Sequence, residues 1–457
     1  MFKKKNINNV FLIFLLFHLV VWTLVPSIIN VNLPLDTIEA LAWGRSLDWG
    51  FDKHPPLSAF IVETVYQFFG NQDWAYYLTS QIFVIIAFTY VFKFSKEFFQ
   101  NGNLALITVL LLEGIFFYNF TTPEFNVNVC QLPFWALSVY FTWKCIQQDR
   151  TKDYLLLGLF IGLGILSKYL FIYLVITIEI LFLYLIFKRK KIKSKNCFIA
   201  GLVVLIILSP HIFWLVKNDY SSFTYAFERT GGIGNLKDHL IFPLIFFGKQ
   251  LLLLTPFLLM IFFLVKKFQF NFNLKNEKII FLTFIVLAPI FLILITSIFM
   301  GARIRTMWMT PFYLFLGVFF IQVLKEKVIT KNFEKFLTIF FFLFILSPLA
   351  YSGISILNDG KRTAYPGKEI SRLVENKWNQ NFRNEIKLVI GDEWYAGNLS
   401  YHLSSRPKWM KRLKNDKSKL DISGGVIYTG NPKILKKICP GVFGTIKPVG
   451  YCMIGIK

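Results

Sequence analysis

The chain has 457 residues, 55% of them hydrophobic, with 53 phenylalanines and a formal net charge of +24. That apolar share and phenylalanine load exceed those of a soluble domain, and several apolar runs reach the roughly 20 residues that cross about 30 Å of hydrocarbon. The charge does not indicate a nucleic-acid partner, because Lys and Arg sit in short clusters between the apolar runs rather than on one soluble face.

The first span is expected at Val10–Ile29, after Lys3, Lys4 and Lys5. It is read as a retained helix with its N-terminus inside, since the run is long and carries no small-residue cleavage site. Leu57–Phe69 is apolar but short and interrupted by Glu63 and Gln67, which suits a helix lying along the interface. Further spans are expected at Tyr76–Phe94, Leu104–Phe120, Val127–Ile146, Tyr154–Leu166 and Leu170–Phe187. The last two are broken at Ser167-Lys168-Tyr169 and read as a helical hairpin with Lys168 near its tip. Phe198–Val216, Leu240–Val265, Ile279–Phe299, Pro311–Leu324 and Phe336–Ile354 complete a polytopic all-α bundle of about 11 transmembrane helices.

This count puts the N-terminus and the C-terminal tail on opposite sides. The predicted inner segments are rich in cations, including the cluster from Lys188 to Lys195. The predicted outer segments before the tail hold only Arg45, Lys53, Lys168, Lys217, Arg229, Lys237, Arg303 and Arg305, so the positive-inside rule supports the orientation. From about Leu357 short apolar runs at Lys387–Ile390, Gly425–Tyr428 and Tyr451–Ile456 alternate with helical patterns at Gly367–Trp378 and Glu393–Leu403. The expected division is a membrane domain, 1–356, and a small outer α/β domain, 357–457. Cys439 and Cys452 lie in that tail, where an oxidising exterior would permit a disulfide. Cys130, Cys145 and Cys197 read as small buried hydrophobes.

The stretch LPLDTIEALAWGRSLDWGFDKHPPL, Leu33–Leu57, concentrates the chemistry. Asp36 and Glu39, three apart, share one face of a helix. Trp43, Trp49, Lys53 and His54 follow, and Pro55-Pro56 halts any helix. A carboxylate here can serve as a general base, and Lys53 with His54 suits a phosphate at headgroup depth. The blander readings are a helix cap and a lipid-anchoring lysine. Glu124, in the second outer loop TTPEFNVN, can bind sugar hydroxyls or hold a metal with Asp36, or can cap a helix after Pro123. His211 and Trp214 lie near the outer end of a span, where a lone His is more often a packing partner. The glycines at 231–234 lack the context of a nucleotide loop.

The order of several motifs resembles the protein mannosyltransferase/aminoarabinose transferase (ArnT-like) superfamily, glycosyltransferase family 39 and its relatives, of the GT-C fold. The residues that carry it are Asp36 with Glu39, LDWGFDKHPPL from Leu47, TPEFN from Thr122, GLGILSKY from Gly162, SPHIFW from Ser209, MWMTP from Met307 and GDEWYAGNLSY from Gly391. The resemblance implies an inverting glycosyltransferase in the inner (plasma) membrane, with its site facing the periplasm or exterior. It implies a polyprenyl-phosphate-linked sugar as donor and a lipid, glycan or protein of the envelope as acceptor. Asp36 and Glu124 map to the catalytic acids and Lys53 to the phosphate-binding lysine. Glu39, Trp43, His54, Lys168, His211, Arg303 and Arg305 are the further candidates for substrate binding. Thr37 and Ile38 separate the two first-loop acids, which are adjacent in many members, and His54 replaces the plain Lys-Pro-Pro form. No cofactor is assigned, and a divalent metal is left open. The rivals are a transporter or flippase of lipid-linked sugars, which would place ionisable groups at mid-membrane depth, and an inactive scaffold.

Overall fold

A computed structural model describes residues 4–189, 192, 194–230, 235–265, 272–324, 332–411 and 425–457. The glycines at 231–234 and parts of the inner cationic clusters lie outside the described residues.

The first apolar run forms α1 (Lys4–Ile29), followed by the short amphipathic α2 (Leu35–Gly44) and α3 (Leu57–Phe69) and by α4 (Asp73–Phe99). As expected, α3 is too short to cross; it buries Glu63 and exposes Phe68 and Phe69. The expected span Leu104–Phe120 is broken: α5 (Gly102–Leu110) gives way to 3₁₀ turns at Leu111–Gly114 and Phe116–Tyr118. The run Val127–Ile146 is likewise split into α6 (Val127–Cys130) and α7 (Leu132–Gln148), with Pro133 in the first turn of α7, where its missing N–H costs nothing.

The chain breaks at Lys168, between α8 (Thr151–Ser167) and a 3₁₀ turn leading into α9 (Ile172–Tyr184). Beyond that tip the two helices take different partners, α8 along α7 and along α10 (Ser194–Lys217), and α9 against residues 283–300. Then come α11 (Ser221–Thr230), α12 (Asp238–Leu253), α13 (Thr255–Leu264), α14 (Glu277–Leu282), α15 (Ala288–Met300), a 3₁₀ segment Thr306–Tyr313, α16 (Leu316–Leu324) and α17 (Phe333–Leu357).

Among the described residues six helices are long and apolar enough to cross a membrane, and two bent pairs raise the number to eight. The bends are 50° between α12 and α13 and 53° between the 3₁₀ segment and α16. Pro256 opens α13 and Pro311 lies in the 3₁₀ segment, each removing a backbone donor that a continuous helix would need. The difference from the expected count is partly one of continuity, since proline and local turns cut several of the runs, and partly one of length, since α7 and α8 are 17 residues each.

After α17 the chain builds a small α/β unit from α18 (Gly367–Asn381), β1 (Ile386–Ile390), α19 (Tyr395–His402), β2 (Lys408–Met410), β3 (Gly425–Gly430), α20 (Pro432–Ile438), β4 (Val442–Ile446) and β5 (Val449–Ile454). The sheet order is β2-β1-β3-β5-β4, parallel across the first three strands and antiparallel across the last three. Its core gathers Val374, Trp378, Val389, Leu399, Ile427 and Tyr451. The three-residue β2 and the glycine-interrupted β4 were not read as strands from the sequence. Cys439 and Cys452 are joined in a disulfide.

This unit is seated on the loop side of the bundle. Helix α19 packs on α2 so closely that a Cβ at Gly397 would lie 3.1 Å from Ile38 Cγ2. Asn32 donates to Asn398 at 2.7 Å, and Tyr401 donates its hydroxyl to Asp73 at 2.7 Å. Arg406 enters between α2 and α3 and is 6% exposed. It pairs with buried Glu63 at 2.9 Å, donates to the Leu41 carbonyl at 2.7 Å and lies 4.3 Å over the Tyr66 ring. It does so from a left-handed backbone (φ 46°), a conformation that a non-glycine residue holds only when its surroundings enforce it.

Candidate active site

The site begins at the N-terminus of α2. The Asp36 N–H donates to Glu124 Oε1 at 3.0 Å, and Thr37 Oγ1 donates to the Phe125 carbonyl at 3.1 Å. The TPEFN loop is held there because Asn126 caps α6, accepting from the N–H groups of Asn128 and Val129. A carboxylate at a helix N-terminus also meets the positive end of the helix dipole. Asp36 and Glu124, both singled out in the sequence, are thus neighbours.

One turn along α2, Glu39 accepts from Lys53 Nζ at 2.8 Å. The same ammonium lies 3.2 Å from Glu393, in the turn before α19. Lys53 therefore bridges the membrane bundle and the α/β unit. Trp43 stacks on Phe51 at 5.4 Å, and His54 stands edge-on to Trp43 at 6.1 Å and to Tyr225 at 6.4 Å. Lys168, 5% exposed, donates to Asn128 and lies 5.3 Å from the Trp308 ring.

Lys53, His54 and Lys168 line a cavity of about 260 Å³ whose remaining wall is largely apolar, from Leu170, Ile172, Phe223 and Met300. A second cavity of about 760 Å³ shares Arg229, Thr230 and Ile304 with it and adds Lys249, Arg303 and Arg305. The exposed Arg303 and Arg305 thus belong to the neighbouring cationic space, not to the Lys53 wall. His211 borders neither: its Nδ1 lies 2.6 Å from the Trp49 carbonyl and its Nε2 2.8 Å from the Tyr169 hydroxyl. With both ring nitrogens engaged, it ties the first loop to the Lys168 tip.

Burial sets the electrostatics. It raises the Asp36 carboxyl above its usual range, opposed by the cations Lys168, Lys53, Arg229 and Arg305. It raises Glu124 as well, with the Asp36 charge adding to the shift. Glu39 is pushed up by burial to about 7, held back by Lys53. Burial alone would lower Lys53, but its pairs with Glu39 and Glu393 outweigh that and the net shift is upward. Burial, together with the charges of Lys168, Lys53 and Arg229, brings His54 down to about 3, so it is a neutral imidazole at physiological pH. Two buried acids on adjoining loops, facing several cations, can take a proton and stabilise a leaving anion. Among the described residues no three His, Cys, Asp or Glu side chains converge as a metal would require, so no step is derived through one.

Glu393, Arg229, Asn128 and Trp308 complete the surroundings and were not singled out from sequence. Glu393, Asn128 and Trp308 each lie in or beside a motif quoted above; Arg229 lies in the last turn of α11. Only the fold brings them to Lys53, Asp36 and Lys168.

The family model for dolichyl-phosphate-mannose-protein mannosyltransferase matches residues 53–214. The lipopolysaccharide core galacturonosyltransferase RgtB of Rhizobium johnstonii is 24% identical over 189 residues, 41% of this chain and 38% of that protein. The undecaprenyl phosphate-alpha-4-amino-4-deoxy-L-arabinose arabinosyl transferase of Wigglesworthia glossinidia brevipalpis is 25% identical over 127 residues, 26% of this chain and 22% of that protein. The matches thus span well under half the length of these relatives. Among solved structures, ArnT from Cupriavidus metallidurans bound to undecaprenyl phosphate superposes with a TM-score of 0.66, covering 98% of each chain at 12% identity. Its apo state gives 0.64.

The chain is a multi-pass membrane protein with the GT-C fold seen in ArnT, and its residues 53–214 resemble the mannosyltransferase family.

Proposed function

We propose that the protein is an inverting membrane glycosyltransferase that moves a sugar from a polyprenyl-phosphate donor to an acceptor of the cell envelope on the non-cytoplasmic side. The observation that carries this is a cavity walled by apolar helix faces and lined by Lys53 and Lys168, the two cations that act most strongly on the Asp36 carboxyl beside it. The names of the relatives, which act on lipopolysaccharide or on undecaprenyl-phosphate sugars, support the reading. The disulfide in the α/β unit supports its outer placement, and the division near residue 357 is proposed with it.

In this reading the donor phosphate rests against Lys53, Lys168 and Arg229, with its lipid tail along the apolar wall. Asp36 accepts the proton of the acceptor hydroxyl, and the oxygen attacks the anomeric carbon from the face opposite the phosphate. The bond from that carbon to the phosphate oxygen breaks, polyprenyl phosphate leaves with the electron pair, and the cations meet its charge. Glu124, bonded to the Asp36 backbone, fixes the base and tunes its ionisation. Incubating the purified protein with a polyprenyl-phosphate sugar and an envelope extract should release polyprenyl phosphate; transport of intact donor without release would favour a flippase. The buried membrane pair His18–Glu113, 2.7 Å apart, is one ionisable site a transporter reading would use, and it borders neither cavity described above.

The base must be ionised to act, so turnover should fall as pH drops through the raised Asp36 value. Lys168 is the foremost cation opposing that rise. Lys168→Met should therefore move the acidic limb of the pH–rate profile to higher pH. An unmoved limb would remove Lys168 from the electrostatics of the base.

A further inference from the structure

A third cavity, of about 550 Å³, opens on the other side of Lys53. Its lining differs from the first two: Trp43, Trp214 and Trp409 supply aromatic walls, and Asp48, Asp52 and Glu393 supply carboxylates. We propose that this cleft binds the acceptor, and that the acceptor is a neutral or amine-bearing saccharide presented from the aqueous side. The inference rests on the transferase reading and adds the acceptor class and its route.

The aromatic walls are held in place. Trp214 stacks on His211 at 6.1 Å, and it lies against Gly50 so closely that a Cβ there would sit 2.3 Å from the indole ring. Only glycine at position 50 admits the ring. Trp409 is oriented by its N–H, which donates to the Gly391 carbonyl at 3.2 Å. Indole rings held this way offer flat, polarisable faces to the C–H groups of a sugar ring, at little cost in side-chain freedom. Asp48 and Asp52 are exposed, and among the described residues neither has a hydrogen bond or ion pair to the protein. Ionised carboxylates are acceptors only, so they match hydroxyl or ammonium donors.

The same lining argues against other occupants. With Glu393 paired to Lys53, the lining sets Asp48 and Asp52 against the single further cation Lys411, a net acidic wall that suits a phosphorylated headgroup less than the cationic cavity beside Arg229. The cleft lies between the first loop and β2 of the α/β unit, not along the apolar helix faces, so a hydrocarbon chain finds no matching wall. Lys53 borders both this cleft and the 260 Å³ cavity, and its ion-pair partner Glu393 belongs to the cleft. Donor and acceptor would therefore approach the reaction centre from opposite sides of one side chain.

The test uses the full chain in detergent on an array of immobilised neutral, amine-bearing and phosphorylated saccharides and short peptides. Retention on neutral or amine-bearing saccharides is expected, weakened at least tenfold by Trp409→Ala and by Asp52→Asn. Asp52 is exposed, so its substitution reports on binding rather than folding. No saccharide retention, preference for phosphorylated saccharides or peptides, or unchanged retention in both variants would overturn the proposal. Undecaprenyl phosphate binding is measured in parallel and should be the same in wild type and variants; its absence from the wild type would count against the transferase reading alone.

Discussion

Asp36→Asn is expected to lower sugar transfer by about 100- to 10,000-fold, the range general-base catalysis supplies, while retention of a polyprenyl-phosphate donor stays near that of the wild type. Asparagine keeps the size of the side chain and leaves the backbone N–H that binds Glu124 in place. In the proposed mechanism it removes the group that takes the acceptor proton, a carboxyl acted on by Lys53, Lys168, Arg229 and Arg305. The loss should therefore fall on kcat and not on donor binding. Glu124→Gln should cost less, since its carboxylate contacts the backbone of α2 rather than the reacting hydroxyl in this arrangement. Turnover of Asp36→Asn at the wild-type rate would transfer the base role elsewhere.

Arg406→Ala should destabilise the protein by about 3–5 kcal/mol, the usual consequence of stranding one member of a buried ion pair. The variant leaves the Glu63 carboxylate in a site 4% exposed with its cation gone, and frees the Leu41 carbonyl of α2 as well. Because α2 carries Asp36 and Glu39, loosening this joint should also lower activity in the fraction that remains folded. The double variant Arg406→Met with Glu63→Leu should recover much of the stability, since matched apolar replacement of a buried pair is often neutral or better. Thermal unfolding of the detergent-solubilised chain, followed by size-exclusion, measures both. Equal melting of Arg406→Ala and wild type would show that the α/β unit is not anchored through this pair.

The two results probe different parts of one device. Asp36 lies at the start of a ten-residue helix. A helix that short is marginal alone and is held by what packs on it. Here the TPEFN loop fixes one end, and Gly397 and Arg406 of the α/β unit fix its length. The C-terminal unit thus acts on the site by supporting the base and by placing Glu393 against Lys53.

Much of this was legible in the chain alone, wherever the signal was local. Hydrophobic runs marked the membrane helices because burying apolar surface in lipid needs a given length of apolar chain. The pattern of the tail marked β1, β3 and β5 and the helices α18 and α19, but not α20. The cluster from Asp36 to His54 stood out because acids, cations and indoles are rare together beside apolar segments. What the sequence could not tell was which distant groups meet. The Lys53–Glu393 and Glu63–Arg406 pairs join positions more than 300 residues apart, and charge pairing at such separation leaves no periodic trace. Nor could a hydropathy reading tell a continuous span from a bent one, as at Leu254 and Tyr313, or tell that His211 spends both ring nitrogens on the protein. Composition and spacing decided that the chain enters a membrane and where its chemistry lies. Only packing decided which carboxylates face which cations, because those contacts are made across elements whose relative placement is settled by the core and not by any one segment.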